Sequence, residues 1–390
     1  MSRKLTVIAL SLLVALVGCQ KEAAIALRAR AGSYLSSQAD AVFISVAVSG
    51  DWSLRLEYPT GVEPWASGIL PASGSGSQDN VLLSFSANGT DKSRKLDVVL
   101  TSASGSTARL TFRQAAKPPV GVKGQYGMDV ASAEWLELPA CVAGDGREVL
   151  AHNMSGGKYG GKNPGTRNWS CYWDYREHMS LWVAYPLNNS LKGSGSRSDE
   201  WGWDAILPHN LQPNIISGSY GGGWTRGHQI PSADRLSPRS ANVSTFVPTN
   251  MTPQAYDFNG GIWANLEGKV RNYAALSDTL YVVTGALFDA STSTSDTSSG
   301  FAVKIPTHYF KALLYRGTSA YAKNTDGFMM AGFILPHDNG IANASPLNYR
   351  VSIDELERQT GIDFFPQFAR MNEELSAQLE AATPNAQFWN

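Results

Sequence analysis

Apolar and polar positions alternate over short runs in the first third of the chain and over a mixture of short and long runs thereafter. Segments 41–48, 81–86, 95–101 and 108–113 are strand-like, rich in Val, Ile, Leu and Phe, and the clusters at 72–78 and 87–91 read as turns between them. Short strands at this spacing predict an antiparallel, all-β sandwich over residues 23–118. Lys117, Pro118, Pro119 and the glycines after them read as a linker, placed at 119–124. From 125 to 390 the pattern changes. Segments 181–185 and 279–285 are strand-like, whereas 259–276 and 353–358 carry the longer spacing of helices. The expectation is an α+β domain with a mixed sheet and helices. No internal repeat is visible.

An apolar run of about a dozen residues, 5–17, follows Arg3 and Lys4 and is too short for an ordinary transmembrane helix. It ends in Leu16-Val17-Gly18-Cys19. That ending resembles a bacterial lipoprotein processing site, with Cys19 the residue to be lipidated in residues 1–19. The resemblance implies an outer-membrane lipoprotein, periplasmic or surface-exposed. An ordinary signal peptide with an incidental cysteine is the alternative. Gln20-Lys21-Glu22 looks like a short charged surface-export tag. No other stretch is long and apolar enough to span a bilayer.

Composition narrows the class. Apolar residues make up 43% of the 390 and charged residues 17%, so a sizeable core is expected and global disorder is not. A net charge of -1 argues against coating nucleic acid by bulk charge, yet leaves room for a local basic groove. With Cys19 assigned to lipid, Cys141 and Cys171 remain. In an oxidising compartment they could pair, closing a loop of about thirty residues worth roughly 3 kcal/mol in the chain-entropy model. Two buried free thiols are the alternative. Two isolated cysteines lack the spacing of a zinc site.

Of six histidines, His152, His178, His209, His308 and His337 have no evident chemical context. His228 lies in Gly221-Gly222-Gly223-Trp224-Thr225-Arg226-Gly227-His228-Gln229-Ile230-Pro231. There Gly227 permits close backbone approach, and Arg226 sets a permanent charge beside the imidazole. A helix beginning near Asn259 would place Glu267 about 80° and Arg271 about 120° round from it, in one sector. Trp263 and Leu266 would pack that helix down. Taken alone, the segment also reads as a capped, solvated helix with a Glu/Arg pair.

Together the two segments resemble the non-specific DNA/RNA endonucleases of the ββα-metal, or His-Me finger, superfamily, which are endonuclease G-like. The family pattern is D-R-G-H, then N-x-x-P-Q, then N-x-x-x-W-x-x-L-E-x-x-x-R. This chain supplies Arg226-Gly227-His228, Asn250 to Gln254, Asn259, Trp263, Leu266-Glu267 and Arg271. Further matches at Trp182-Val183-Ala184-Tyr185, Val283-Thr284-Gly285, Ile305-Pro306, Leu335-Pro336 and Glu357 to Gly361 extend it over roughly residues 125–365. Thr225 stands where the family usually has aspartate, which leaves the rate, pH optimum or loop position in question.

The resemblance implies metal-dependent hydrolysis of DNA and RNA phosphodiesters. His228 would be the general base, Asn259 the ligand of Mg²⁺ (Mn²⁺ as substitute) and Glu267 the holder of its water shell. Arg271 and Arg197 would clamp phosphate, while Arg226 and Asn250 would support the site. The first domain resembles the BACON family of immunoglobulin-like modules through Gly50 to Leu54, Trp65, Ser73 to Gly76, Ser86 to Asn88, Arg94 and Leu110 to Gln114. Such modules are spacers or carbohydrate binders. Trp52 and Trp65 would be either a sugar platform or core. The competing reading is a surface glycan-binding or adhesin lipoprotein with a degenerate nuclease domain.

Overall fold

The computed structural model describes residues 25–29, 34–35, 39–90, 92–114, 126–128, 133–141, 146–154, 167–288, 293–296 and 300–390. The lipobox with Cys19 and the linker at 119–124 lie outside the described residues. The chain divides into two compact units. One comprises 1–33, 39–87 and 95–112, the other 34–38, 88–94 and 113–390.

The first third of the chain is built from strands. They are β1 (Ala26–Ala29), β2 (Tyr34–Leu35), β3 (Asp40–Ala47), β4 (Asp51–Glu57), β5 (Ala66–Leu70), β6 (Ser73–Ser75), β7 (Gln78–Phe85), β8 (Arg94–Ser102) and β9 (Thr107–Gln114). They form a four-stranded sheet in the order β1-β3-β7-β5 and a five-stranded sheet in the order β2-β9-β8-β4-β6. All pairings are antiparallel except β2 with β9. The period of two is clear in what is buried: Ile44 and Val46 on β3, Val81, Leu83 and Phe85 on β7, Leu96, Val98 and Leu100 on β8. Trp52 and Trp65 are each only 4% exposed. The Trp52 indole donates to the Gly76 carbonyl at 2.8 Å. Both rings belong to the core, so they form no exposed sugar platform.

The second unit centres on a seven-stranded sheet in the order β10-β11-β12-β15-β18-β19-β20. Its strands are β10 (Arg147–Asn153), β11 (Arg167–Asp174), β12 (Met179–Leu187), β15 (Thr279–Leu287), β18 (His308–Arg316), β19 (Phe328–Pro336) and β20 (Arg350–Val351). Every pairing in it is antiparallel, and helices are interspersed with its strands, as the α+β expectation has it. The long excursion from β12 to β15 returns the chain antiparallel to the strand it left. That excursion holds α1 (Asn189–Lys192), β13 (Thr225–His228), α2 (Arg239–Val243), β14 (Met251–Gln254), α3 (Tyr256–Phe258) and α4 (Ala264–Ala275). A small hairpin of β16 (Ser293–Ser295) and β17 (Ala302–Lys304) follows β15.

Alternation gives the large sheet two apolar faces. On one, Leu280 and Val282 of β15 and Tyr309 and Leu313 of β18 meet Met251, Phe258, Ile262, Trp263, Leu266 and Val270 from the excursion. On the other, Tyr281, Val283, Phe310 and Leu314 are covered by Ile353, Leu356, Phe364, Phe368, Leu375 and Leu379. Those covering residues come from α5 (Ile353–Thr360), α6 (Pro366–Met371), α7 (Glu373–Ala381) and the turn between the first two. Each fully buried Leu, Ile or Phe contributes about 1.5–3 kcal/mol, which anchors the excursion to a stiff platform.

The same two faces overturn the disulfide expectation. Cys141 and Cys171 are both free. Cys171 points from β11 into the face that carries the excursion, while Cys141 packs against the opposite face. Burial pushes the Cys141 thiol up to about 11 and Cys171 higher still, as expected of inert core thiols. Among the described residues no helix is long and apolar enough to cross a membrane.

Candidate active site

The site is assembled on a ribbon of two short strands followed by a helix. β13 pairs with β14 so that Thr225 faces Gln254, Arg226 faces Pro253, Gly227 faces Thr252 and His228 faces Met251. Gly227 is required there. A Cβ at that position would sit 2.3 Å from Gln254 Oε1.

His228 is wedged edge-on between Trp201 and Phe246, at ring-centroid distances of 5.7 and 5.0 Å. Its Nε2 has no hydrogen-bond partner among the described residues, while the ring bonds to the backbone of Arg226. Nδ1 is therefore the nitrogen that donates to that carbonyl, and Nε2 keeps its lone pair. Burial, then the charges of Arg197 and Arg226, pushes the imidazole down to about 3. The ring is neutral and able to accept a proton at Nε2.

Asn259 opens a π turn, Asn259–Trp263, that joins α3 to α4. Its Nδ2 donates to Thr225 Oγ1 at 3.1 Å, and that hydroxyl donates to the Gln254 carbonyl at 2.8 Å. The relay fixes which way the amide points. Asn259 Oδ1 takes no hydrogen bond from the described residues. Thr225 thus orients the amide from the position where the sequence departs from the family pattern.

The π turn corrects the regular-helix arithmetic. Gly261 has φ -101° and ψ -108°, and ordinary α-helix begins only at Ala264. The turn lies against the segment after β19, where a Cβ on Gly261 would meet Ala342 O at 2.5 Å. A step of about 100° per residue does not hold through such a turn, so the angles expected from Asn259 to Glu267 and Arg271 do not apply.

Glu267 and Arg271 stand one turn apart on α4. Arg271 Nη1 pairs with Asp234 Oδ1 at 3.0 Å, and Asp234 Oδ2 accepts from the Tyr185 hydroxyl at 2.9 Å. Glu267 makes no hydrogen bond to the described residues and sits in the combined field of Lys311, Asp234, Arg271 and Arg197. Burial raises its carboxyl above the usual range, and Lys311 opposes that rise most strongly. Arg197 lies over the Phe246 ring at 4.7 Å and donates from Nη1 to Ser232 Oγ at 3.2 Å. Its charge acts on His228, Arg226 and Glu267 alike, so it stands within the same cluster.

Two sequence candidates turn out to hold the site in place. Arg226 Nη1 donates to the Ile215 and Ile216 carbonyls at 2.9 and 3.3 Å, and its guanidinium lies 3.5 Å from the Trp201 ring centroid. It positions the wall against which His228 packs. Asn250 Nδ2 donates to Ile230 O and Thr245 O at 3.0 and 2.9 Å, and Oδ1 accepts from Ile230 N at 2.9 Å. That clamps the segment leaving His228.

Sequence reasoning missed Asp234 and Lys311. Asp234 is 1% exposed and lies six residues after His228, a short distance at which an acid facing Arg271 could have been sought. Lys311 is fully buried on β18, with Nζ 3.0 Å from Thr284 Oγ1 and 4.3 Å from the Trp263 ring centroid. No local motif marks it. Two of the other histidines are held within the fold. His152 pairs with Asp204 at 2.8 Å and stacks on Trp169, while His337 Nε2 accepts from Ala255 N at 2.7 Å just ahead of α3.

The donor set suits a hard, largely hydrated cation. Asn259 Oδ1 and the Glu267 carboxylate are oxygen donors that the described residues leave unengaged. Among the described residues there is no group of three or more His, Cys, Asp or Glu side chains that could cage a metal without such water.

Residues 165–371 match the model of the family described as DNA/RNA non-specific endonuclease. The chain is 35% identical over 47% of its length to a nuclease of a Nostoc species, covering 65% of that protein. It is 30% identical over 50% of its length to a nuclease of Syncephalastrum racemosum, covering 64% of it. It is 32% identical over 49% of its length to nuclease C1 of Cunninghamella echinulata, covering 77% of it. The matches thus reach just under two thirds of the first two relatives. With the family model covering more than half of the chain, this protein belongs to the DNA/RNA non-specific endonuclease family, a family of metal-dependent nucleases.

Proposed function

We propose that this chain hydrolyses phosphodiester bonds of DNA and RNA, internally and without sequence preference, with Mg²⁺ as its cation. The observation that carries the reading is the pairing of two unengaged atoms through one short strand. His228 Nε2 is a free base on a neutral ring, and Thr225 of the same strand turns the free Oδ1 of Asn259.

In this reading His228 Nε2 accepts the proton of the attacking water as its oxygen bonds to phosphorus and the P–O3′ bond breaks. Asn259 Oδ1 would hold the cation, and Glu267 would order the water around it. The cation, when bound, neutralises charge on the phosphate and on the departing O3′. Arg271, kept in place by Asp234, and Arg197 stabilise the developing negative charge. Contacts to phosphate carry no base information, so broad specificity follows. Mn²⁺ substitutes because it shares the preference for oxygen ligands.

The residues before the nuclease unit fit an anchored enzyme. Cys19 would carry lipid, and residues 23–118 would form a BACON-like, immunoglobulin-like spacer that holds the catalytic unit off an outer membrane. A zymogram with embedded DNA separates this reading from a surface adhesin. Clearing in Mg²⁺ that EDTA abolishes is expected, and a protein that binds glycan but clears no DNA would favour the adhesin.

A further inference from the structure

Beside Asn259 lies an open cavity of about 550 Å³ that the proposed hydrolysis uses only at its Thr225–Asn259 wall. Thr225 and Asn259 form the wall it shares with the catalytic ribbon. Tyr256, Asp257, Asn339 and Asn343 supply most of the rest. No lysine, arginine or histidine lines it, and one carboxylate does. Away from Asn259, that lining offers a phosphate no positive side chain. It suits a neutral, planar group with donors and acceptors on its edge.

Tyr256 is 74% exposed, among the most exposed large hydrophobic residues described. Its backbone is nevertheless held. Asn339 Oδ1 accepts from Phe258 N at 3.0 Å, and Phe258 is buried beside Trp263. With Oδ1 so engaged, Asn339 has its Nδ2 left to donate into the cavity, and Asn343 adds an exposed amide. An aromatic face fixed on a rigid turn, next to carboxamides and with no cationic side chain in the lining, matches a nucleobase: ring against ring, edge against amide.

We infer that this cavity is a nucleobase subsite, in which Tyr256 stacks on the base of the nucleotide adjoining the scissile phosphate. Every base offers a π face, so such a subsite gains affinity without reading sequence. It also gives the anionic chain a direction across the site, with phosphate at the arginines and base at the cavity. The inference rests on the nuclease reading for its reaction and not for its binding.

The test uses the full chain and an oligonucleotide with one cleavable phosphodiester and phosphorothioates elsewhere. A matched oligonucleotide has abasic residues on both sides of that bond. Tyr256→Ala should raise KM for the first substrate on the order of ten-fold, with kcat little changed. On the abasic substrate it should change KM less than two-fold. Tyr256→Trp should keep or improve the wild-type KM. Equal losses on both substrates, or no loss on either, would overturn the subsite. The same comparison is made by equilibrium binding in EDTA, where no turnover is needed. If the wild type fails to cleave with any divalent cation yet binds the base-bearing strand more tightly than Tyr256→Ala does, the nuclease reading fails and the subsite stands.

Discussion

Single atoms decide what this site can do. The neutral His228 ring follows from burial and two neighbouring guanidiniums, which push it down to about 3. A group whose pKa lies that low is already deprotonated throughout pH 5–8, so His228 gives the free enzyme no acid limb there. Glu267 differs, because burial raises its carboxyl. It must lose a proton to hold a hydrated cation, so kcat/KM should rise with pH through the range in which it ionises. That limb should disappear in Glu267→Gln, at a lower overall rate. An unchanged limb in the variant would assign it elsewhere.

Thr225 and Asn259 act as one device. Asn259→Ala should raise the Mg²⁺ concentration needed for half-maximal rate, with partial recovery in excess Mg²⁺ or Mn²⁺. Thr225→Val should shift the same curve in the same direction but less, in the ~10–100-fold range typical when a ligand loses its support. A rate loss in Thr225→Val with no change in metal requirement would show that the hydroxyl does something other than aim the amide.

At the scale of elements, close backbone approach is the constraint. A side chain at 227 would collide with Gln254, so Gly227→Ala should lower the melting temperature, corresponding to roughly 1–3 kcal/mol of overpacking, and should reduce turnover by displacing His228. Retention of both would mean that the ribbon tolerates spreading. The ribbon and helix were legible in the sequence because their residues are local: Arg226-Gly227-His228, then Asn259 through Arg271. The π turn was not, since it arises where Gly261 meets Ala342, about eighty residues away. Asp234 and Lys311 escaped for a related reason. Their partners come from other elements, Tyr185 and Arg271 for the acid, Thr284 and Trp263 for the lysine. The disulfide expectation failed because counting cysteines cannot say which face of a sheet each one takes.

Within the second unit, a stiff antiparallel sheet carries the proposed catalytic ribbon and helix on one face and three helices on the other. All proposed catalytic residues lie between 197 and 271, well after the expected linker. A chain beginning near residue 120 should therefore fold and cleave short DNA at the full-length rate, and a folded but inactive truncation would give the earlier residues a part in the site. Cys19→Ser should move the protein from the membrane fraction to the soluble one, and lipid labelling that survives the substitution would refute the anchor.

The most direct test is endonucleolytic cleavage of supercoiled plasmid by the chain lacking residues 1–19, beside His228→Ala shown by circular dichroism to be folded. The account predicts Mg²⁺-dependent passage from supercoiled to nicked to linear DNA, stopped by EDTA. It predicts a fall of at least ~10²–10⁴-fold in His228→Ala, with DNA still bound. Near-normal cleavage by the folded His228→Ala protein would contradict it.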